Sequence, residues 1–233
     1  MLDCFKKDIF LDQFSCERLK NDRNNKALIN GFSCDRNSNL AWYLKTNAWH
    51  EDNHNHRAVY LIKEGNKIVM YFSLQCGILI KCHKKEIGGI VNTGSCEKPV
   101  YAIDTDKIEV TESLPAIEMA HFCVNDSYRK KKKKWDVKHG NQTYRVGAYC
   151  FYKYIAPLII EMAEISGLRY IYLFSAEHEY STELKNYYAR RLNFKIMDDM
   201  ACIRSEYDAD LECMTIKVED LIRDTKRFNQ EKP

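Results

Sequence analysis

The sequence predicts an α/β fold, and three observations lead to it. Two β-rich runs, Ala58 to Lys63 and Lys67 to Ile80, flank Glu64-Gly65-Asn66, a turn whose Gly and Asn tolerate positive φ, so they read as a hairpin. From Pro115, PAIEMAHFCVND is dense in apolar and β-favouring types and reads as a buried strand. In GAYCFYKYIAPLIIEMAEISG, Phe151, Tyr154, Ile155, Leu158, Ile159 and Met162 recur at helical spacing, and LRYIYLFSA (Leu168 to Ala176) follows as a second buried strand. A long helix between two buried strands is the crossover that a parallel pair requires.

Taken in order, residues 1–57 read as a polar, helical N-terminal region with scattered apolar anchors. HEDNHNH (His50 to His56) then gathers three imidazoles and two carboxylates. Its spacing fits no standard zinc pattern, so it reads as a polar turn before the hairpin, and no metal is expected. Residues 81–114 break the β pattern and read as an insertion, as does 125–141 after the central strand. STELKNYYARRL is a helix, with Ser181 or Thr182 as its cap and Glu183 in the first turn. Phe194 to Arg204 and Leu211 to Val218 complete the sheet. Residues 219–233 read as a charged tail that frays. One domain spanning 1–233 is the simplest count at this length.

Composition narrows the partners. Charged residues at 30% and hydrophobics at 45% are ordinary for a soluble protein. A net charge of +3 does not demand nucleic acid, although Arg129 to Lys134 places six cations in one loop. Neither a signal-peptide core nor an apolar run near 18 residues is present, so no membrane is expected. Ten cysteines without a C-x-x-C pair fit reduced thiols in a cytoplasm.

The stretch between central strand and helix is the chemically informative one. A strand, a donor-rich loop and a helix start direct free N–H groups and the positive end of a helix dipole at one point, which suits a phosphorylated cofactor. Gln142-Thr143-Tyr144-Arg145-Val146-Gly147-Ala148 resembles the pyrophosphate signature Q/R-x-x-G-x-G/A of the GNAT N-acetyltransferase superfamily. VNDSYR (Val124 to Arg129) resembles that family's strand end, and NYYARRLNF (Asn186 to Phe194) its Tyr-bearing helix before the "LGF" strand start. Phe32, Cys34, Leu40, Tyr43 and Leu44 resemble the opening of GNAT relatives that include tRNA-acetylating toxins. The resemblance spans roughly residues 58–204. Within it Arg145 stands at the first Gly, and Asn193 at the Gly of "LGF".

The resemblance implies a mixed central sheet with splayed strands flanked by helices, acetyl-CoA as co-substrate, and direct attack by an acceptor amine. Such a transfer needs a polarised carbonyl, a neutral amine and a stabilised departing thiolate. It implies main-chain polarisation at Phe122, Cys123 and Val124, and a pyrophosphate cradle at Gln142, Arg145, Val146, Gly147 and Ala148. It also implies a pantetheine contact at Asn186 and a general acid at Tyr188, with Tyr187 as the alternative. Tyr188 lies six residues before Phe194, one more than the commonest spacing. Glu118 is the candidate base, its alternative being a satisfied structural carboxylate, whereas His121 reads as structural. The acceptor class stays open. Aminoacyl-tRNA is one member of it, against which stand the small net charge and the lack of an interleaved aromatic platform. A different class of function, a CoA-binding regulatory module without turnover, fits the loss of the first signature Gly.

Overall fold

A computed structural model describes residues 14–82, 90–92, 101–103, 110–129, 136–175, 182–196, 200–202 and 212–231. Its elements begin with β1 (Ser15–Arg18), α1 (Asn25–Leu28), α2 (Ser38–Thr46), α3 (Ala48–Asn53), β2 (Ala58–Glu64), β3 (Lys67–Cys82), β4 (Ile90–Asn92), β5 (Tyr101–Ile103) and β6 (Val110–Val124). They continue with α4 (Asp126–Arg129), β7 (Asp136–His139), β8 (Gln142–Arg145), α5 (Val146–Cys150), a π-helical turn (Phe151–Ile155), α6 (Ala156–Ser166), β9 (Tyr170–Ser175) and α7 (Glu183–Leu192). The last are β10 (Lys195–Ile196), β11 (Met200–Cys202), β12 (Glu212–Lys217) and α8 (Val218–Gln230). The chain divides into two compact units, one of residues 1–73 and 121–135, the other of 74–120 and 136–233. Among the described residues no helix is long and apolar enough to cross a membrane.

In the first unit the strand order is β1, β2, β3 and β6. The N-terminal region is not wholly helical: Ser15–Arg18 runs antiparallel to β2, with Ser15 opposite Lys63 and Arg18 opposite Tyr60. The expected hairpin forms between β2 and β3, and Gly65 takes its positive φ of 56° in the turn. Leu19, Ile29, Phe32, Leu44, Val59, Leu61 and Tyr71 bury the helices on this sheet. Asp52, wholly buried, explains the acidic half of HEDNHNH. It accepts from Arg18 Nε at 2.7 Å, Lys20 N at 2.8 Å and Val59 N at 3.0 Å, so this carboxylate knits α3 to the strands. His50, His54 and His56 remain exposed. Among the described residues, no three His, Cys, Asp or Glu side chains could hold a metal ion.

In the second unit the order is β3, β6, β9, β12 and β10, and the sheet is mixed. β6 pairs parallel with β9, as the helical crossover requires, while β12 runs antiparallel to β9 from Glu212 opposite Ser175 to Lys217 opposite Tyr170. Among the described residues of 194–204, two short strands pair with different partners. Lys195–Ile196 pairs with β12, whereas Met200–Cys202 pairs with the far end of β3 at Leu79–Lys81. The stretch 81–114 supplies a small antiparallel pair, β4 and β5, and the beginning of the central strand, which starts at Val110. The charged tail is instead an ordered helix, α8. Leu221, Thr225 and Phe228 recur at i, i+4 and i+7 and are buried, so one face packs while the charges stay outside.

Pro157 stands inside the helix that follows the signature, where a proline ordinarily forces a kink. Pro157 lacks the N–H that would bond one turn back, and the turn before it, Phe151–Ile155, widens to π geometry. The helix therefore continues from Val146 to Ser166 and closes on Gly167, at φ 69°.

Candidate active site

The signature is built differently from a loop. Gln142–Arg145 is the second strand of a hairpin with β7, turning at Gly140 (φ 58°), and Arg145 is the extended residue before the helix. The helix starts at Val146 with no side-chain cap. The N–H groups of Val146, Gly147 and Ala148 thus belong to the first turn, where helical partners are lacking. Val146 to Cys150 are all buried, and Arg145 is exposed beside them.

A cleft of about 270 Å³ adjoins this helix start, and Gln142, Arg145, Arg190, Arg191 and Arg227 line it over Tyr152 and Phe228. Its two acids are already engaged, Asp224 by Asn193 Nδ2 at 2.8 Å and Glu231 by the Tyr144 hydroxyl at 2.7 Å. Among the described residues, no carboxylate pairs with Arg145, Arg190 or Arg191. The cleft is therefore a cationic one with an aromatic floor. The α7 and α8 arginines were not anticipated; the Arg190-Arg191 pair reads from sequence as a solvated helix end.

A second feature lies where β6 and β9 part. Their parallel ladder covers only Ala116–Glu118 against Tyr170–Tyr172, although both strands run on. This is the splay that the resemblance implies. Glu118 sits on the last rung, 4% exposed. Its Oε2 accepts from Gln75 Nε2 at 2.7 Å and from the Tyr172 hydroxyl at 3.2 Å. Its Oε1 is buried and has no hydrogen-bond partner among the described residues. A carboxylate held by neutral donors on one oxygen has its other oxygen available as a proton acceptor. Sequence reasoning named Glu118 but missed Gln75 and Tyr172, since a tyrosine in a buried strand carries no distinguishing signal among fifteen.

The tyrosines of α7 differ in setting. Tyr188 is 5% exposed and packs on Tyr187 and Phe194, with ring centroids 5.9 and 6.2 Å away. Tyr187 is half-buried. Burial pushes its phenol well up, the neighbouring Tyr188 and Cys150 add to this, and Arg145 and Arg191 oppose it, so Tyr187 lies within electrostatic reach of the signature. Five before Phe194 stands Ala189, exposed on the same helix. Asn186 is exposed and donates to Thr182 Oγ1 at 3.2 Å; Thr182 occupies the cap position without making the expected cap bond.

Phe122, Cys123 and Val124 end the central strand in the first unit. Cys123 is buried and hydrogen-bonds Cys34, which draws the Cys34 thiol down to about 6 and drives that of Cys123 up. Nearby, His121 stacks on Tyr43 at 3.7 Å between centroids, with its Nδ1 2.7 Å from Ser73 Oγ. Burial first, and then Arg57, lower its pKa to about 3, so the imidazole is neutral at physiological pH. These contacts give His121 the structural role expected of it. Lys130 to Lys134 and Ser181 lie outside the described residues.

No protein family's sequence profile matches this chain, and no curated protein matches its sequence. Its fold does match solved structures. A tyrosine-to-phenylalanine mutant of KacT superposes with a TM-score of 0.56 at 13% identity, over 91% of this chain and 98% of that one. AtaTR bound with acetyl-CoA gives 0.56 at 12%, over 91% and 98%. AtaT complexed with acetyl-methionyl-tRNAfMet gives 0.54 at 11%, over 90% and 98%. With its mixed sheet and parted central strands, the chain has the GNAT fold.

Proposed function

We propose that this protein is an N-acetyltransferase that moves an acetyl group from acetyl-CoA to an acceptor amine by direct attack. The observation that carries this reading is the buried Glu118 carboxylate, one oxygen without a hydrogen-bond partner among the described residues, on the last rung before β6 and β9 part. In the proposed reaction the amine nitrogen bonds the thioester carbon and the C–S bond breaks. The amine proton passes to Glu118 Oε1, and the thiolate takes a proton from a phenol. Backbone N–H groups at Phe122, Cys123 and Val124 polarise the carbonyl. The pyrophosphate lies on the N–H groups of Val146 to Ala148, flanked by Gln142 and Arg145, with Asn186 toward the pantetheine. Cationic Arg190, Arg191 and Arg227 reinforce the anionic end. Among the described residues Cys16, Cys34, Cys76, Cys123, Cys150 and Cys213 form no disulfide, which supports a reducing, cytoplasmic setting.

For the acid, Tyr188 remains the proposed residue by helix position, and Tyr187 is favoured by its reach toward Arg145. The acceptor is best sought first among aminoacyl-tRNAs, because AtaT is solved with an acetylated methionyl-tRNA. The test is transfer of labelled acetyl from acetyl-CoA to a panel of charged tRNAs, peptides and small amines. Label on a tRNA-borne amine is expected, and Tyr→Phe at the true acid should lower kcat with little change in the KM for acetyl-CoA. Binding of CoA with no transfer to any acceptor would instead establish the regulatory-module reading.

A further inference from the structure

Glu118 is aimed by a device in which a glycine on one strand makes room for a tyrosine on another. Tyr172 sits opposite Glu118 in the parallel ladder, so their side chains share a face. Its ring is buried in a cluster with Leu79, Leu114, Ala116 and Tyr170, edge-on to Phe174 at 5.9 Å. Its hydroxyl lies across the sheet toward β3. There, β3 carries Gly77. A Cβ at Gly77 would stand 2.2 Å from the Tyr172 hydroxyl and 2.7 Å from Cε1, far inside contact distance. The backbone of Gly77 is not in the left-handed region, so its conformation alone gives no reason for glycine. Two residues earlier, Gln75 reaches the same Glu118 oxygen as Tyr172.

We propose that Gly77 and Tyr172, with Gln75, are the positioning elements of the acyl-transfer site: they occupy Glu118 Oε2 and leave Oε1, buried and unpartnered among the described residues, as the oxygen that takes the amine proton. This rests on the reading of Glu118 as proton acceptor. Tyr172 acts through Glu118: its hydroxyl donates to Oε2 and fixes the rotamer of the carboxylate. The ligand class this fits is a neutral primary amine, which gives up one proton to one carboxylate oxygen as the amide bond forms.

Tyr172→Phe keeps the packed ring and deletes only the oxygen. The expected result is a fall in kcat of about tenfold or more, with the KM for acetyl-CoA within about twofold. The acid limb of the pH–rate profile should also move to higher pH, because a carboxylate that loses a donor holds its proton more tightly. Gly77→Ala should give the same two changes, with the KM again nearly constant, while the tyrosine oxygen is still present. Infrared spectra of the carboxylate against pH, with Glu118→Gln subtracted as the blank, read the same displacement without any acceptor, and Tyr172→Phe carries this arm even where Gly77→Ala fails to fold. Unchanged carboxylate titration in Tyr172→Phe overturns the device. A displaced titration in Tyr172→Phe beside an intact kcat in Glu118→Gln keeps the device and removes Glu118 from catalysis.

Discussion

Glu118→Gln is expected to lower kcat for acetyl transfer by about 10²- to 10⁴-fold, the range associated with a positioned general base, while CoA binds as before. The substitution is nearly isosteric, and the amide oxygen can still accept from Gln75 and Tyr172, which hold Oε2 now. What it removes is the charge and the unpartnered oxygen, Oε1, proposed to accept the proton. Steady-state kinetics beside a calorimetric CoA titration separate the two quantities. A kcat equal to that of the natural protein would return Glu118 to the role of a structural carboxylate. No turnover in either protein, with CoA bound by both, would place the chain among CoA-binding modules.

The second large effect is at the helix start. Gly147→Glu should weaken CoA binding by about 100-fold or more. Gly147 is the second residue of the helix and is buried, so a side chain there occupies space the phosphates would need. Its carboxylate would also set like charge against them where the free N–H groups and the dipole favour an anion. Far-UV circular dichroism and a thermal melt establish that the variant folds. Arg145→Ala, at an exposed position, is the milder companion and should cost about five- to tenfold through loss of a charge-assisted contact. Unchanged affinity in a folded Gly147→Glu protein would move the pyrophosphate elsewhere.

Much of the fold was legible because its elements announce themselves locally. The hairpin turn at Gly65, the apolar runs of β6 and β9 and the 3.6-residue stripe between them each rest on a period or a turn residue. The failures share a cause. Ser15–Arg18 is too short and polar to show alternation, and it becomes a strand only because β2 offers it an edge. Gln142–Arg145 read as loop because its pairing partner, Asp136–His139, is equally polar, and hairpins on the surface carry little apolar pattern. The last helix was hidden by composition: its buried anchors are diluted among charges that merely decorate the outer face. The site was half legible. Glu118 and the helix start follow from order along the chain, whereas Gln75, Tyr172 and the arginines of α7 and α8 reach the site only through tertiary placement.

The aromatic clamp on α8 bears on the order in which the protein assembles. Phe228 stacks on His139 with centroids 4.1 Å apart and on Tyr152 at 5.7 Å, and its carbonyl meets His139 Nε2 at 2.8 Å. The His139 contacts join residues 89 apart in sequence, and long loops are closed late because their entropy must be met before the contact rewards it. The pairing of β9 with its neighbours can form without them. During refolding, pulsed hydrogen exchange should therefore protect 170–175 before 139–145. The chain would then pass through a stage with its sheet in place and the proposed phosphate-binding end still unlatched.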